Sequence, residues 1–143
     1  MTSLLLRPFA VRRREAEVGA QVDAMLDFLG LSHVAGSRAS ALSGGQQKLL
    51  ELGRALMTEP RYVLLDEPYA GVNPVLIEEI SGRIRILAQR GTGFLIVEHN
   101  LQALSRLADR MLVMDRGRLI ASGTPDAALA DQAVQDAYIG GPA

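Results

Sequence analysis

Tyr62-Val63-Leu64-Leu65-Asp66-Glu67-Pro68 joins a short, continuously apolar run to two adjacent carboxylates and a proline. Such a run has the pattern of a strand buried on both faces. Pro68, which has no amide to donate, stops the ladder. Phe94-Leu95-Ile96-Val97 repeats the apolar pattern. Between the two runs, Asn73-Pro74 supplies an N-cap and a proline at the first helical position. Ile77, Ile80, Ile84 and Leu87 mark one helix face, and Arg90-Gly91-Thr92-Gly93 stops the helix. Strand, helix, strand predicts an α/β architecture with at least one parallel pair.

Upstream, Val18, Val22, Met25, Leu26 and Leu29 recur at helical steps over residues 14–29, and Gly30 closes the element. The run Arg12-Arg13-Arg14 reads as a solvated face. A polar stretch over residues 32–41 leads to Leu42-Ser43-Gly44-Gly45-Gln46, and Leu49, Leu52 and Leu56 then form a second helical stripe ending near Thr58. Downstream, a helix starts at Asn100 and carries Leu101, Leu104 and Leu107. Met111-Leu112-Val113-Met114 and Leu119-Ile120-Ala121 flank Asp115-Arg116-Gly117-Arg118, a hairpin turn. Thr124-Pro125 repeats the cap-plus-proline start, and short helices lead to Gly140-Gly141-Pro142.

Composition narrows the function classes. The 143 residues hold 15 Lys plus Arg against 16 Asp plus Glu, so no global charge favours nucleic acid or an anionic membrane. There is no cysteine, hence no disulfide framework and no thiolate metal site. The apolar runs, Leu4-Leu5-Leu6 among them, fall far short of the roughly 20 residues that cross a bilayer. Lys48, the sole lysine, follows Gln47. A P-loop ends in Gly-Lys-Ser/Thr, so these residues contain none.

Three segments carry chemistry. Ser43 and Gln46 have the spacing of a capping box, which leaves Gly44 and Gly45 unexplained. Two glycines in succession suit a close approach to the backbone, and a helix N-terminus is an anion site suited to phosphate. A plain cap and a phosphate cradle both remain open on this segment alone. Asp66 and Glu67 sit where ligands bind in open α/β sheets, outside the carboxyl end of a strand. One carboxylate there can hold Mg²⁺ through water and the other can orient or deprotonate a water molecule; a pair of solvated acids is the alternative. In Val97-Glu98-His99-Asn100 the histidine reaches the same sheet edge if the strands are parallel, where it can bond a phosphate oxygen or the attacking water. A structural histidine is the alternative, and Asn100 caps the next helix.

In order and spacing, Leu42-Ser43-Gly44-Gly45-Gln46-Gln47, Val63-Leu64-Leu65-Asp66-Glu67-Pro68 and Ile96-Val97-Glu98-His99 resemble the ABC-type ATPases. Their counterparts are the family's signature motif, Walker B and switch histidine. Within that family, Leu49-Leu50-Glu51-Leu52, Tyr69-Ala70-Gly71-Val72-Asn73-Pro74 and Asp136-Ala137-Tyr138-Ile139-Gly140 are similar to the ATPase subunits of branched-chain amino-acid importers.

The resemblance implies the C-terminal part of a P-loop NTPase domain: a signature-bearing helical region over 12–58, then Walker B, the switch histidine, a partial, mostly parallel sheet, a hairpin and short helices over 59–143. It implies that Ser43, Gly44, Gly45 and Gln46 contact ATP held by a second ATPase subunit. Asp66 then holds Mg²⁺ through water, Glu67 is the catalytic base and His99 senses the γ-phosphate. The family's loop after Walker B usually carries Asp where this chain has Asn73, so Asn73 is a weaker candidate for the dimer loop. Implied partners are that second subunit and membrane permease subunits, at the cytoplasmic face of the inner or plasma membrane; no nucleic acid is expected.

The family's P-loop, glutamine loop and adenine-stacking aromatic belong to an N-terminal portion. The expectation is therefore a C-terminal portion that cannot hydrolyse ATP alone, with exposed sheet edges and a tendency to self-associate. A non-catalytic module that pairs with an intact subunit or permease is the second reading. DNA-repair and chromosome ATPases share the signature, but they flank it with long heptads that do not occur here.

Overall fold

The computed structural model describes residues 8–138, in two compact units that divide between Val97 and Glu98. The first unit runs through helix α1 (Pro8–Phe28), short 3₁₀ turns at Ser32–Val34 and Ala39–Ala41, helix α2 (Gly44–Leu56), strand β1 (Tyr62–Asp66), helix α3 (Pro74–Gln89) and strand β2 (Gly93–Val97). β1 and β2 pair in parallel, with Tyr62 opposite Gly93 and Asp66 opposite Val97. That is the predicted strand, helix, strand order.

Helix α1 begins at Pro8, earlier than the hydrophobic stripe indicated, with proline in the first turn where its missing amide costs nothing. Arg13 Nε pairs with Glu17 Oε1 at 2.9 Å on the solvated face. The stripe itself is covered only at its end. Val18 and Val22 are exposed, while Leu29 and Leu31 are buried. There α1 meets α2 closely: a Cβ on Gly53 would lie 2.5 Å from Leu29 Cδ1. The Phe28 ring also lies 5.6 Å and 5.7 Å from the guanidinium carbons of Arg83 and Arg90, cation–π contacts that tie the end of α1 to α3. Leu49, Leu52 and Leu56 of α2 are buried as the stripe predicted, with Ile80 and Ile84 of α3. Tyr69 and Ser81 bond through their hydroxyls at 2.7 Å inside this core.

One expectation fails. The strands are not buried on both faces: Val63 is 5% exposed, but Tyr62, Leu64, Leu95 and Val97 are 72%, 73%, 54% and 59% exposed. The register places those four residues on one face, with Leu64 opposite Leu95. A continuous apolar run identified the strand correctly, but only the neighbouring elements determine whether both faces are covered. An open apolar face of this kind drives association. Leu64→Lys combined with Leu95→Glu, an opposed pair of unlike charges, is expected to sediment as a smaller species than the unmodified chain at micromolar concentration. Equal sedimentation of the two would show that the face is idle.

The second unit contains helix α4 (Leu101–Ser105), strands β3 (Met111–Asp115) and β4 (Arg118–Gly123), and helices α5 (Pro125–Leu129) and α6 (Gln132–Tyr138). Asn100 Oδ1 caps α4 by accepting from Ala103 N at 3.1 Å. The helix ends at Ser105, so Leu107 lies in the following turn rather than on the helix. β3 and β4 form the antiparallel hairpin, a sheet of their own. Arg116 and Gly117 at its tip have φ of 46° and 78°, the positive values a two-residue type I′ turn requires. Met111 and Val113 pack with Ala128 of α5 and Val134 of α6. Tyr138 Oη donates to the Met114 carbonyl at 3.3 Å. Leu4-Leu5-Leu6, Ile139 and the closing glycines lie outside the described residues.

Candidate functional site

The Ser43-Gly44-Gly45-Gln46 segment folds as a complete capping box. Ser43 Oγ accepts from Gln46 N at 3.3 Å, and Ser43 N donates to Gln46 Oε1 at 2.9 Å. Gln47 reaches back to the Leu42 carbonyl at 3.1 Å, and Gln46 Nε2 lies 3.4 Å from His33 Nε2. By helix geometry the amides of Gly44 and Gly45 have no carbonyl one turn earlier to bond, and they stand at the positive end of the α2 dipole.

The two glycines differ in their surroundings. A Cβ on Gly44 would meet nothing within 4 Å, whereas a Cβ on Gly45 would overlap the Leu76 side chain of α3. Leu76 N in turn donates to Asn73 Oδ1 at 3.0 Å, so Asn73 is a helix cap, as its sequence context predicted.

Asp66 ends β1 opposite Val97, and both Asp66 and Glu67 are exposed. Glu67 N adds one further bond to the ladder, to the Val97 carbonyl at 2.8 Å, before the chain turns with φ of 45° at Glu67. That left-handed conformation is costly for a residue with a side chain. Glu59, which also precedes a proline, has φ of 49°. The conformation by itself therefore marks a chain reversal; what distinguishes Glu67 is its place at a strand end beside a second carboxylate.

A cavity of about 240 Å³ opens against Asp66, lined also by Lys48 and Glu51 of α2, Leu64 of β1 and Ile80 of α3. Lys48, informative in the sequence only by its position after glutamine, thus shares a cavity with Asp66; Lys48 Nζ lies 3.8 Å from Glu51 Oε2.

His99 belongs to the second unit and its side chain is exposed. The carboxylate of Glu98 is fully buried and organises the turn: Oε2 accepts from His99 N at 2.9 Å and Asn100 N at 3.1 Å, and lies 3.7 Å from His99 Nδ1. Sequence reading gave Glu98 no role, although a carboxylate directly before a histidine and an asparagine cap was a usable signal. Leu76 was missed as well, and no local pattern could have found it.

Among the described residues, no group of three or more His, Cys, Asp or Glu is placed to hold a metal ion. A strand-end carboxylate fits Mg²⁺ all the same, because that ion keeps several waters and takes one or two carboxylates together with substrate phosphates. Among the described residues no helix is long and apolar enough to cross a membrane.

A family model described as ABC transporter matches residues 4–70, and one described as branched-chain amino acid ATP-binding cassette transporter matches residues 118–143. The probable branched-chain amino acid transport ATP-binding protein LivG of Methanocaldococcus jannaschii is 41% identical over 131 residues, which covers 89% of this chain and 51% of that protein. The lipopolysaccharide export system ATP-binding protein LptB of Haemophilus influenzae is 36% identical over 120 residues, covering 84% of this chain and 50% of that protein. The crystal structure of MJ1267, an ATP-binding cassette of an ABC transporter in its ADP conformation, superposes with a TM-score of 0.80 at 41% identity over 87% of this chain and 50% of that one. The chain spans about half the length of the curated relatives it matches. The sheet, the capped Ser-Gly-Gly-Gln and the strand ending in Asp-Glu agree with those matches: the chain belongs to the ATP-binding family of ABC transporters, whose cassettes have a P-loop NTPase fold.

Proposed function

We propose that these residues are the signature and Walker B portion of an ATP-binding subunit that powers an ABC importer at the cytoplasmic face of the membrane. The single observation that carries this reading is Gly44. It starts a capped helix, where the first amides have no carbonyl one turn earlier to bond, and among the described residues nothing lies within 4 Å of the place a Cβ would take. That leaves the backbone open to close approach at a helix N-terminus, which is suited to phosphate. Ser43, Gly44, Gly45 and Gln46 receive the phosphates of ATP bound to a second subunit. Asp66 would hold Mg²⁺ through water, Glu67 would be the catalytic base and His99 would be the sensor of the γ-phosphate. When bound, Mg²⁺ neutralises charge on the phosphates. Asn73 serves chiefly as the α3 cap at the dimer loop.

Two sequence features support branched-chain amino acids as the cargo class: the family match over residues 118–143 and the LivG relative. The LptB relative makes lipopolysaccharide export the competing cargo. Reconstitution of a subunit that carries these residues together with a phosphate-binding loop, with the permease of a branched-chain importer, is expected to couple ATP turnover to leucine uptake. Coupling only to a lipopolysaccharide exporter would overturn the cargo assignment.

The sole lysine follows Gln47, so the loop that wraps the phosphates comes from residues other than these 143. A polypeptide of these residues is expected to hydrolyse no ATP alone, yet to restore turnover to an intact subunit whose own signature has been disabled. Gly44→Asp in the chain abolishes that restoration while leaving it folded, because a carboxylate at a helix N-terminus stabilises the helix but repels phosphate. Turnover by the chain alone, lost in Glu67→Gln, would sink this reading, as would an intact subunit left inactive by the wild-type chain.

A further inference from the structure

We infer that Leu76 is a positioning residue that locks the signature-bearing start of α2 to the start of α3, and that Gly45 is glycine because Leu76 fills the space of its side chain. This rests on the function proposed above for what the lock achieves, though not for the lock itself.

A Cβ on Gly45 would overlap Leu76 Cδ2 and lie 3.3 Å from Leu76 Cγ, whereas Gly44, one residue earlier, meets nothing within 4 Å. The two glycines therefore answer to different constraints, one to this chain's own packing and one to open space. Leu76 is also the residue whose amide donates to Asn73 Oδ1, at 3.0 Å. A single residue thus bonds the cap of α3 through its backbone and seats on the first turn of α2 through its side chain. Ser43, which caps α2, lies two residues before Gly45. The two capped helix starts thus meet at Leu76, which ties the place of the first turn of α2 to that of the Asn73 cap.

The test is a double-mutant cycle on the full chain, read by thermal unfolding and needing no nucleotide. Gly45→Ala is expected to lower Tm by about 3–8 °C, as overpacking does in a domain of this size. In a Leu76→Ala background the same Gly45→Ala change is expected to cost less than about 2 °C, because the obstruction is gone. Equal costs in the two backgrounds overturn the lock.

Its role in positioning is read separately, in the assembly with a signature-disabled intact subunit. Leu76→Ala is expected to lower kcat about tenfold with KM for ATP unchanged, since misplaced amides cost transition-state stabilisation. Leu76→Met, which refills most of the volume, restores it. A Leu76→Ala chain with full kcat, or one whose loss lies wholly in KM, overturns the positioning role. Failure of the wild-type chain to support any turnover falls on the function proposed above and leaves the unfolding cycle decisive for the lock.

Discussion

Glu67→Gln, made in a chain that also carries a phosphate-binding loop, is expected to lower ATP turnover by about 10²–10⁴-fold with ATP affinity unchanged, the loss typical of a removed general base. The geometry favours a clean result. Glu67 is held by a backbone bond, its amide to the Val97 carbonyl at 2.8 Å, which the amide side chain of glutamine leaves intact. The φ of 45° costs glutamine no more than glutamate. With the roles proposed above, Asp66→Asn is expected to behave differently, weakening the carboxylate assigned to the metal and so appearing in the dependence on Mg²⁺ concentration. Steady-state turnover at saturating Mg²⁺ separates the two. A Glu67→Gln enzyme that keeps more than about a tenth of its turnover excludes Glu67 as the base.

The largest expected effect on stability is at Ile84. It is 2% exposed on the face of α3 that also buries Ile80 and Ser81. Truncating a core isoleucine to alanine costs about 2–5 kcal/mol, through lost transfer energy and the cavity left behind. Native domains hold only about 5–15 kcal/mol in total, and the first unit also carries an open apolar sheet face. Ile84→Ala is therefore expected to leave the first unit largely unfolded at 37 °C, as measured by urea denaturation and by amide exchange along α3. Val18→Ala, a change on an equally regular sequence stripe, is expected to fall within about 0.5 kcal/mol of the parent, as exposed positions do. Comparable losses at the two positions would show that the burial pattern does not govern stability here.

Val18 and Ile84 mark where sequence reading stopped. Both lie on apolar stripes of helical period, and both helices form. Periodicity reports which residues share a face, but not whether anything covers it. The same limit governed β1 and β2: the apolar runs located the strands and their parallel order, yet one face lies open. Caps and turns were legible because their causes are local. Ser43, Asn73, Asn100 and Thr124 each bond an amide three residues ahead, and Arg116-Gly117 takes the conformation its turn demands.

By itself, then, the sequence determined the element order, the helix caps, the hairpin, and the three segments, Ser43 to Gln46, Asp66-Glu67 and Glu98-His99, whose order and spacing carry the family resemblance. These are properties of neighbours along the chain, fixed by backbone geometry and bonds that close within a turn. Only the tertiary structure decided that Gly45 is packed and Gly44 open, that Glu98 holds the turn beneath His99, that Lys48 shares a cavity with Asp66, and that one sheet face is left uncovered. Each of these but Glu98's depends on residues distant in the chain meeting in space, and even Glu98's depends on burial. Such meetings are set by packing, which no local pattern encodes.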